Sequence, residues 1–340
     1  MDTQPIVTPE AGKDYPRNWN EFLDRFGSEG ACLAYLERLR WPQEFVCPRC
    51  GVSQAPYRSS RARLMCRACG RQSTVTAGTI FDKTRTPLRV WLAAAWYLTN
   101  QKQGVSALGL QRVLGLGSYQ TAWTMLHRFR RAMVRPDRDR LKGQVEVDET
   151  YLAITDREEP LSPVGRKNKT TKVLVVLAVE LLQPKGFGRI RLRRIENDSA
   201  ECVVPFVHES IEPGAQVRTD GSAAYRSLNK LGYDHQRTVM LGSDVPAHVS
   251  MAGVHRVASL VKRWILGTHH GSVQPGHLDA YLDEFVFRFN RRTSSSRGNA
   301  VLPAAAASRR HRAGDLRQRR QATTQAGEAE VGLLDGHPVF

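Results

Sequence analysis

No run of apolar residues in this chain is long enough to span a bilayer, which takes about 20. The longest, VLVVLAVELL (173–182), is interrupted by Glu180. The opening residues, MDTQPIVTPEAGKD, lack a basic start followed by an apolar stretch, so no signal peptide is expected. Cysteine is scarce. Six are present, four of them in two CxxC pairs, with Cys32 and Cys202 alone. That usage excludes a secreted disulfide framework and points to metal in a reducing compartment. A soluble cytoplasmic protein is expected. Acidic side chains are also in short supply: 33 Asp and Glu stand against 50 Lys and Arg, for a net charge of +17. With a pI near 10.1, this balance implies a polyanionic partner, most often nucleic acid. An apolar content of 41% over 340 residues suffices for two or three small domains with one sizeable core.

Periodicity divides the chain into five stretches. Residues 15–44 hold two short amphipathic helices, the second (ACLAYLERLRW) with Leu33, Leu36 and Leu39 on one face. Residues 45–82 are strand-and-turn material around the cysteines. Residues 88–134 return to helix, broken at Gly104 and at GLGS (115–118). Residues 141–293 begin with strands: QVEVDETYL and RIRLRRI alternate, and KVLVVLAVE is a buried apolar run. A polar loop, 155–172, separates QVEVDETYL from KVLVVLAVE. A helix over 198–210, a strand at AQVRTDG, and helices over 250–266 and 276–292 follow. Residues 294–340, rich in Ser, Ala, Arg and Gln, are expected to be disordered. The whole reads as an α/β multidomain chain with a mixed β-sheet.

The cysteines carry the strongest local signal. CPRCG (Cys47, Cys50) and CRACG (Cys66, Cys69) are separated by fifteen residues. Two such knuckles close a tetrahedral thiolate site, and the Gly after each second Cys permits the tight turn. A structural zinc is expected, with no open position for catalysis. A ribbon this small cannot hold its shape on apolar burial, so metal binding supplies its folding energy.

GVSALGLQRVLGLGSYQTAWTMLHRFRRAM reads as helix, tight turn, helix, with Ser118 as N-cap of the second helix. In a helix-turn-helix reader the start of the second helix meets base edges. That nominates Tyr119, Gln120 and Thr121, with Arg128 further along. The alternative is a plain helical hairpin.

In QVEVDETYL, Val145 and Val147 face one way, and Glu146 and Asp148 the other. Asp148 is expected at the end of its strand, and Asp220 likewise follows one in VRTDG. Either alone is an ordinary turn residue. As a pair on one sheet they form a candidate for divalent metal. His255 comes thirty-five residues after Asp220, on a helix. Seven residues drift only about 20° around a helix, so His255, Ser259 and Lys262 share a stripe. Two strand aspartates, a helical third ligand and a lysine suggest metal-dependent phosphoryl transfer on nucleic acid. Glu284 is the rival third ligand. Arg256 and Arg263 flank the stripe. The loop GTHHG, with His269 and His270, could approach a DNA backbone, or Gly267 could simply cap the helix.

Together CLAYLERLRWPQEFVCPRCG, VEVDETYL, RTDGSAAY, HRVASLVKRWILGTHHG and YLDEFVFRFNRR resemble the zinc-ribbon DDE transposases of bacterial insertion sequences, in the ISXO-type branch. The resemblance spans about residues 20–297. It implies an RNase H-like catalytic domain and a divalent ion, Mg²⁺ or Mn²⁺, for cutting and rejoining double-stranded DNA. The terminal inverted repeats of the element and a target DNA would be the partners, in a homo-oligomeric synaptic complex at the bacterial nucleoid. It maps the acidic site onto Asp148 and Asp220, the variable third position onto His255, and the following lysine onto Lys262. A neutral imidazole brings nitrogen without charge, so Mn²⁺ is expected to support activity better than Mg²⁺. Two departures stand out: YLAITDREE lacks the Gly-Gly pair expected after the first strand, and the chain after FNRR lacks an apolar helix. The competing expectation is a DNA-binding protein whose catalytic site has decayed.

Overall fold

The computed structural model describes residues 15–59, 62–134, 138–156, 169–238 and 250–294. The chain divides into two units, one of residues 1–96 with 298–340 and the other of residues 97–297. Apart from Ser294, the segment expected to be disordered lies outside the described residues, as does 157–168 of the polar loop. Among the described residues no helix is long and apolar enough to cross a membrane.

The first unit opens with α1 (Trp19–Arg25) and α2 (Glu29–Arg40). Asn18 accepts from the Glu21 amide at 2.9 Å, and Ser28 accepts from the Ala31 amide at 3.2 Å. Each cap satisfies an amide that the helix cannot. The face that α2 buries is Cys32, Tyr35 and Leu36, one residue round from the leucine stripe expected. Phe22, Phe26 and Tyr35 pack there as an aromatic cluster. Strands β1 (Tyr57–Arg58), β2 (Leu64–Met65) and β3 (Gln72–Ser73) make a small antiparallel ribbon. Arg40 donates to the carbonyls of Thr74 and Val75, at 3.1 and 2.7 Å, tying α2 to the end of the ribbon. The Glu29 carboxylate takes the Leu88 amide at 2.7 Å, at the start of α3 (Leu88–Asn100). A negative charge there suits the helix dipole.

In the second unit α4 (Ala107–Leu114) and α5 (Tyr119–Met133) form a helix-turn-helix-like pair. Gly115 stops α4 in the left-handed conformation at φ 60°. Ser118 does occupy the N-cap position of α5, but its hydroxyl bonds Gln120 Oε1 at 2.9 Å rather than a helix amide.

The sheet contains β4 (Gln144–Asp156), β5 (Lys169–Leu181), β6 (Phe187–Arg194), β7 (Gln216–Thr219) and β8 (Asp234–Arg237). Its order is β6-β5-β4-β7-β8. The first three strands are mutually antiparallel, and β7 and β8 run parallel to β4. This is an RNase H-like mixed sheet. Val145, Val147 and Val176 meet α6 (Ala200–Ser210) on one face. Leu152, Val175 and Leu177 meet α7 (Ala252–His269) and α8 (Leu278–Asn290) on the other. Each buried aliphatic side chain is worth roughly 1.5–3 kcal/mol.

Three expectations change here. β4 and β5 stay paired out to Asp156↔Lys169, because a ladder needs backbone partners and is indifferent to polar side chains. Asp148 therefore lies in mid-strand and does not end it. The helix expected over 250–266 continues through Gly267 to His269, and His270 at φ 51° is the cap. The short exposed edge strand β8 has no apolar alternation to announce it.

Candidate functional site

Each cysteine pair sits in the same turn. The Gly51 amide donates to the Cys47 carbonyl, and the Gly70 amide to the Cys66 carbonyl, both at 3.0 Å. Gly51 and Gly70 take φ 74° and 68°, which other residues adopt only with strain. The four sulfurs all lie within 4.8 Å of one another. Cys47–Cys69 and Cys50–Cys66 are each 3.7 Å apart. A tetrahedron with Zn–S near 2.3 Å has edges of roughly 3.8 Å, so the quartet fits zinc. Backbone amides of Cys69 and Ala68 pull the Cys66 thiol down to about 6, while burial and the neighbouring sulfurs push the Cys50 thiol up to about 11, so the four share their protons unevenly until a metal displaces them. The quartet is a metal-binding cluster whose four thiol ligands suit zinc.

Asp148 and Asp220 meet where β7 leaves β4. The parallel ladder ends at Glu146↔Arg218, and β7 stops at Thr219. Carried two residues further, past Val147 and Thr219, that register sets Asp148 opposite Asp220, on the same face as Glu146. Asp148 Oδ1 accepts from the Glu149 amide at 2.8 Å, and Asp220 Oδ1 from the Ser222 amide at 2.9 Å. Among the described residues, the other oxygen of each carboxylate accepts no hydrogen bond. Burial and the charge of Asp220 hold the Asp148 carboxyl above its usual range, against the opposing pull of the Glu149 amide and His255. Paired hard oxygens in a half-buried site suit Mg²⁺ or Mn²⁺.

Helix α7 is keyed to this place by Glu146, which sequence reasoning left without a role. Its buried carboxylate accepts from the amides of Gly253 and Val254 at 2.8 and 3.0 Å. No acid in the first turn of α7 does this locally. A Cβ on Gly253 would sit 2.8 Å from Glu146 Oε2, so any larger residue would push the carboxylate from its present place. Glu146 shares its face of β4 with Asp148. The contact thus brings His255 within electrostatic reach of Asp148. His255 Nε2 is buried without a hydrogen-bond partner among the described residues, as an available ligand nitrogen would be. Asp148, Asp220 and His255 form no close set of the kind the cysteines do. Lys262, Arg256 and Arg263 are exposed on α7.

Glu284, the rival third ligand, is nowhere near solvent at 0% exposure. It bonds Arg130 Nε at 2.7 Å and Arg288 Nε at 2.8 Å. Burial alone would raise its pKa, but the two guanidinium groups outweigh that and hold it well below the usual range. Arg288 in turn donates to the carbonyls of Leu98 and Gln101. Glu284 therefore joins α5, α8 and the end of α3.

Of the residues nominated for DNA, Tyr119 and Gln120 are exposed at the start of α5, and Thr121 and Arg128 are half-buried. His270 is exposed, but His269 turns inward. Its ring meets Trp264 and Tyr281 edge-on at 4.8 and 4.7 Å. Burial, aided by Arg130, pushes its pKa down to about 4, and that of His127 to about 3.

A zinc-ribbon unit and an RNase H-like sheet carrying two adjoining aspartates define the class of molecule. Residues 140–290 match the ISXO2-like transposase domain, and residues 27–72 match the transposase zinc-ribbon domain. The chain therefore combines stretches similar to two transposase domains, one a zinc ribbon and the other ISXO2-like. It is 27% identical over 279 residues to a Halobacterium salinarum protein described as an uncharacterized protein in transposable element ISH50, covering 78% of this chain and 92% of that one. It is also similar to the crystal structure of a pre-cleavage Mos1 transpososome, at 12% identity and a TM-score of 0.23, covering 63% of this chain and 78% of the other. For the Mos1 strand transfer complex the figures are 14%, 0.26, 63% and 75%. Scores this low bear on neither fold nor function.

Proposed function

We propose that this chain is an insertion-sequence transposase that cleaves DNA at the terminal inverted repeats of its element and transfers the strands. The observation that carries the reading is the adjoining pair Asp148 and Asp220, inside the stretch that matches a transposase domain. Their free oxygens are the metal-holding groups, and His255 Nε2 is the third. Asp148, Asp220 and His255 would hold divalent ions there, which would supply activation of a water or a 3′-hydroxyl and charge stabilisation of the leaving oxygen. Lys262 holds a phosphate nearby, and Arg256 and Arg263 extend the cationic surface. Tyr119, Gln120, Thr121 and Arg128 on α5, with His270, are the further DNA-facing set. The charge of +17 supplies salt-dependent affinity for the duplex. His269, packed inward, is left out. Two or more copies act together on paired ends, in the bacterial cytoplasm at the nucleoid.

The test is strand cleavage by full-length, zinc-loaded protein on a labelled duplex of the element's own terminal repeat, with Mn²⁺ or Mg²⁺. Cleavage at the repeat end is expected, stronger with Mn²⁺, and lost in Asp148→Asn and in Asp220→Asn. Specific binding with no cleavage by the wild type would overturn the enzyme reading and leave a DNA-binding protein.

A further inference from the structure

Two residues beside the acidic site have no part in the reading above. Glu149 follows Asp148 in β4, and its side chain lies on the opposite face of the strand. Tyr225 lies in the 3-10 turn Ala223–Tyr225, just after Asp220, and is fully buried. The Tyr225 hydroxyl donates to Glu149 Oε1. This bond joins segments that are otherwise 76 residues apart.

It also closes a path between the two aspartates. Asp220 Oδ1 holds the Ser222 amide at 2.9 Å, and Ser222 Oγ holds the Ala224 amide at 3.3 Å. Tyr225 follows directly and reaches Glu149, whose amide donates to Asp148 Oδ1 at 2.8 Å. Asp220 has left the β-ladder, which ends at Glu146↔Arg218 and Thr219. Beyond that point the parallel strands no longer set the distance between the two carboxylates. Among the described residues, the side-chain hydrogen bond that joins the two segments beyond the ladder is Tyr225 to Glu149. The ring is anchored in the α6-side core with Val147, Phe206 and Val207, so its hydroxyl has little freedom.

We infer that the Tyr225–Glu149 pair is a positioning strut that sets the separation of Asp148 and Asp220 for a divalent cation. The inference rests on the metal-holding role proposed for those aspartates. Neither strut residue touches DNA or the cation. Positioning contacts behind metal ligands typically matter by about 10-fold or more in affinity.

The experiment is Mn²⁺ binding by calorimetry on full-length, zinc-loaded protein, with cleavage rate measured against Mn²⁺ concentration alongside. Tyr225→Phe keeps the buried ring and removes only the hydroxyl. It is expected to weaken Mn²⁺ binding by about 10-fold, with the cleavage rate recovering as Mn²⁺ is raised. Glu149→Ala is expected to match it. Glu149→Gln keeps a carbonyl that accepts from Tyr225, and is expected to fall between Glu149→Ala and the wild type. Should Tyr225→Phe prove unstable, the ordering of the two Glu149 variants decides by itself. Wild-type affinity in Tyr225→Phe, or equal loss in Glu149→Gln and Glu149→Ala, overturns the strut. Asp148→Asn and Asp220→Asn run in parallel separate the two claims. If they lose Mn²⁺ and Tyr225→Phe does not, only the strut fails. If they bind Mn²⁺ like the wild type, the metal-holding role fails and takes the strut with it.

Discussion

The cysteine quartet is made from two copies of one turn, while the acidic pair joins strands 72 residues apart. In the quartet every ligand is placed by a knuckle of five residues and a left-handed glycine. The surrounding strands are two residues long and bury little. At the acidic pair no local turn brings Asp148 to Asp220. A five-stranded sheet with a core on each face does so. The contrast is between a cysteine site that draws its fold from the metal and an acidic pair that a finished fold brings together.

Removing zinc gives the sharpest break between them. A strong chelator, or Cys47→Ser, is expected to abolish the ribbon's structure outright. Hydrogen exchange should show the amides of residues 45–75 losing protection while the strands of the sheet keep theirs. Loss of protection in β4 and β5 on chelation would erase the distinction.

The converse perturbation strikes the sheet unit. Glu284→Gln leaves Arg130 and Arg288 buried without their counter-charge. Breaking a buried ion network of this kind costs roughly 3–5 kcal/mol. Urea unfolding followed on the sheet unit should register that loss, and zinc retention should not change. A loss below about 1 kcal/mol would mean that the pairing is no stronger than a surface one.

The smallest expected effect concerns pH. His127 and His269 titrate at about 3 and 4 in the folded chain, below the ordinary 6.5. The unfolded chain takes up those protons near pH 6.5 and the folded chain does not. The stability they contribute is complete above pH 6.5 and drains away as pH falls toward 4. His269→Gln gives up the ring contacts with Trp264 and Tyr281 and escapes that drain. Its Tm deficit against the wild type should narrow between pH 7 and pH 4.5. Glu149 and Asp283, raised to about 7 and about 6, run the opposite way but are common to both proteins. A deficit that stays constant across the window would place His269 in a looser setting than its burial implies.

Much of the site was legible one residue at a time. Cys-x-x-Cys with a following Gly states its own geometry. Alternation in QVEVDETYL put Glu146 and Asp148 on one face, where Glu146 now caps α7. The rest turned on partners distant in sequence. Asp148 was expected at a strand end because what matters is the end of β7, another strand. Gly267 resembled a helix stop, yet α7 runs on to His269. The GTHHG loop looked open, but His269 packs against Trp264 and Tyr281, a contact with α8 that no local pattern encodes. Gly253, ahead of His255 in MAGVHR, is the mark in the sequence of that close backbone approach.

By itself the sequence determined the zinc quartet, the basic character, the amphipathic helices and the list of acids available for chemistry. Those depend on spacing, composition and period, which are properties of neighbours along the chain. Only the tertiary structure decided which acids share a site. Asp148 meets Asp220, Glu146 holds α7, Glu149 holds Tyr225, and Glu284 is shut between two arginines. Sheet register and burial sort chemically equivalent carboxylates into different roles, because a charge answers to what surrounds it in space.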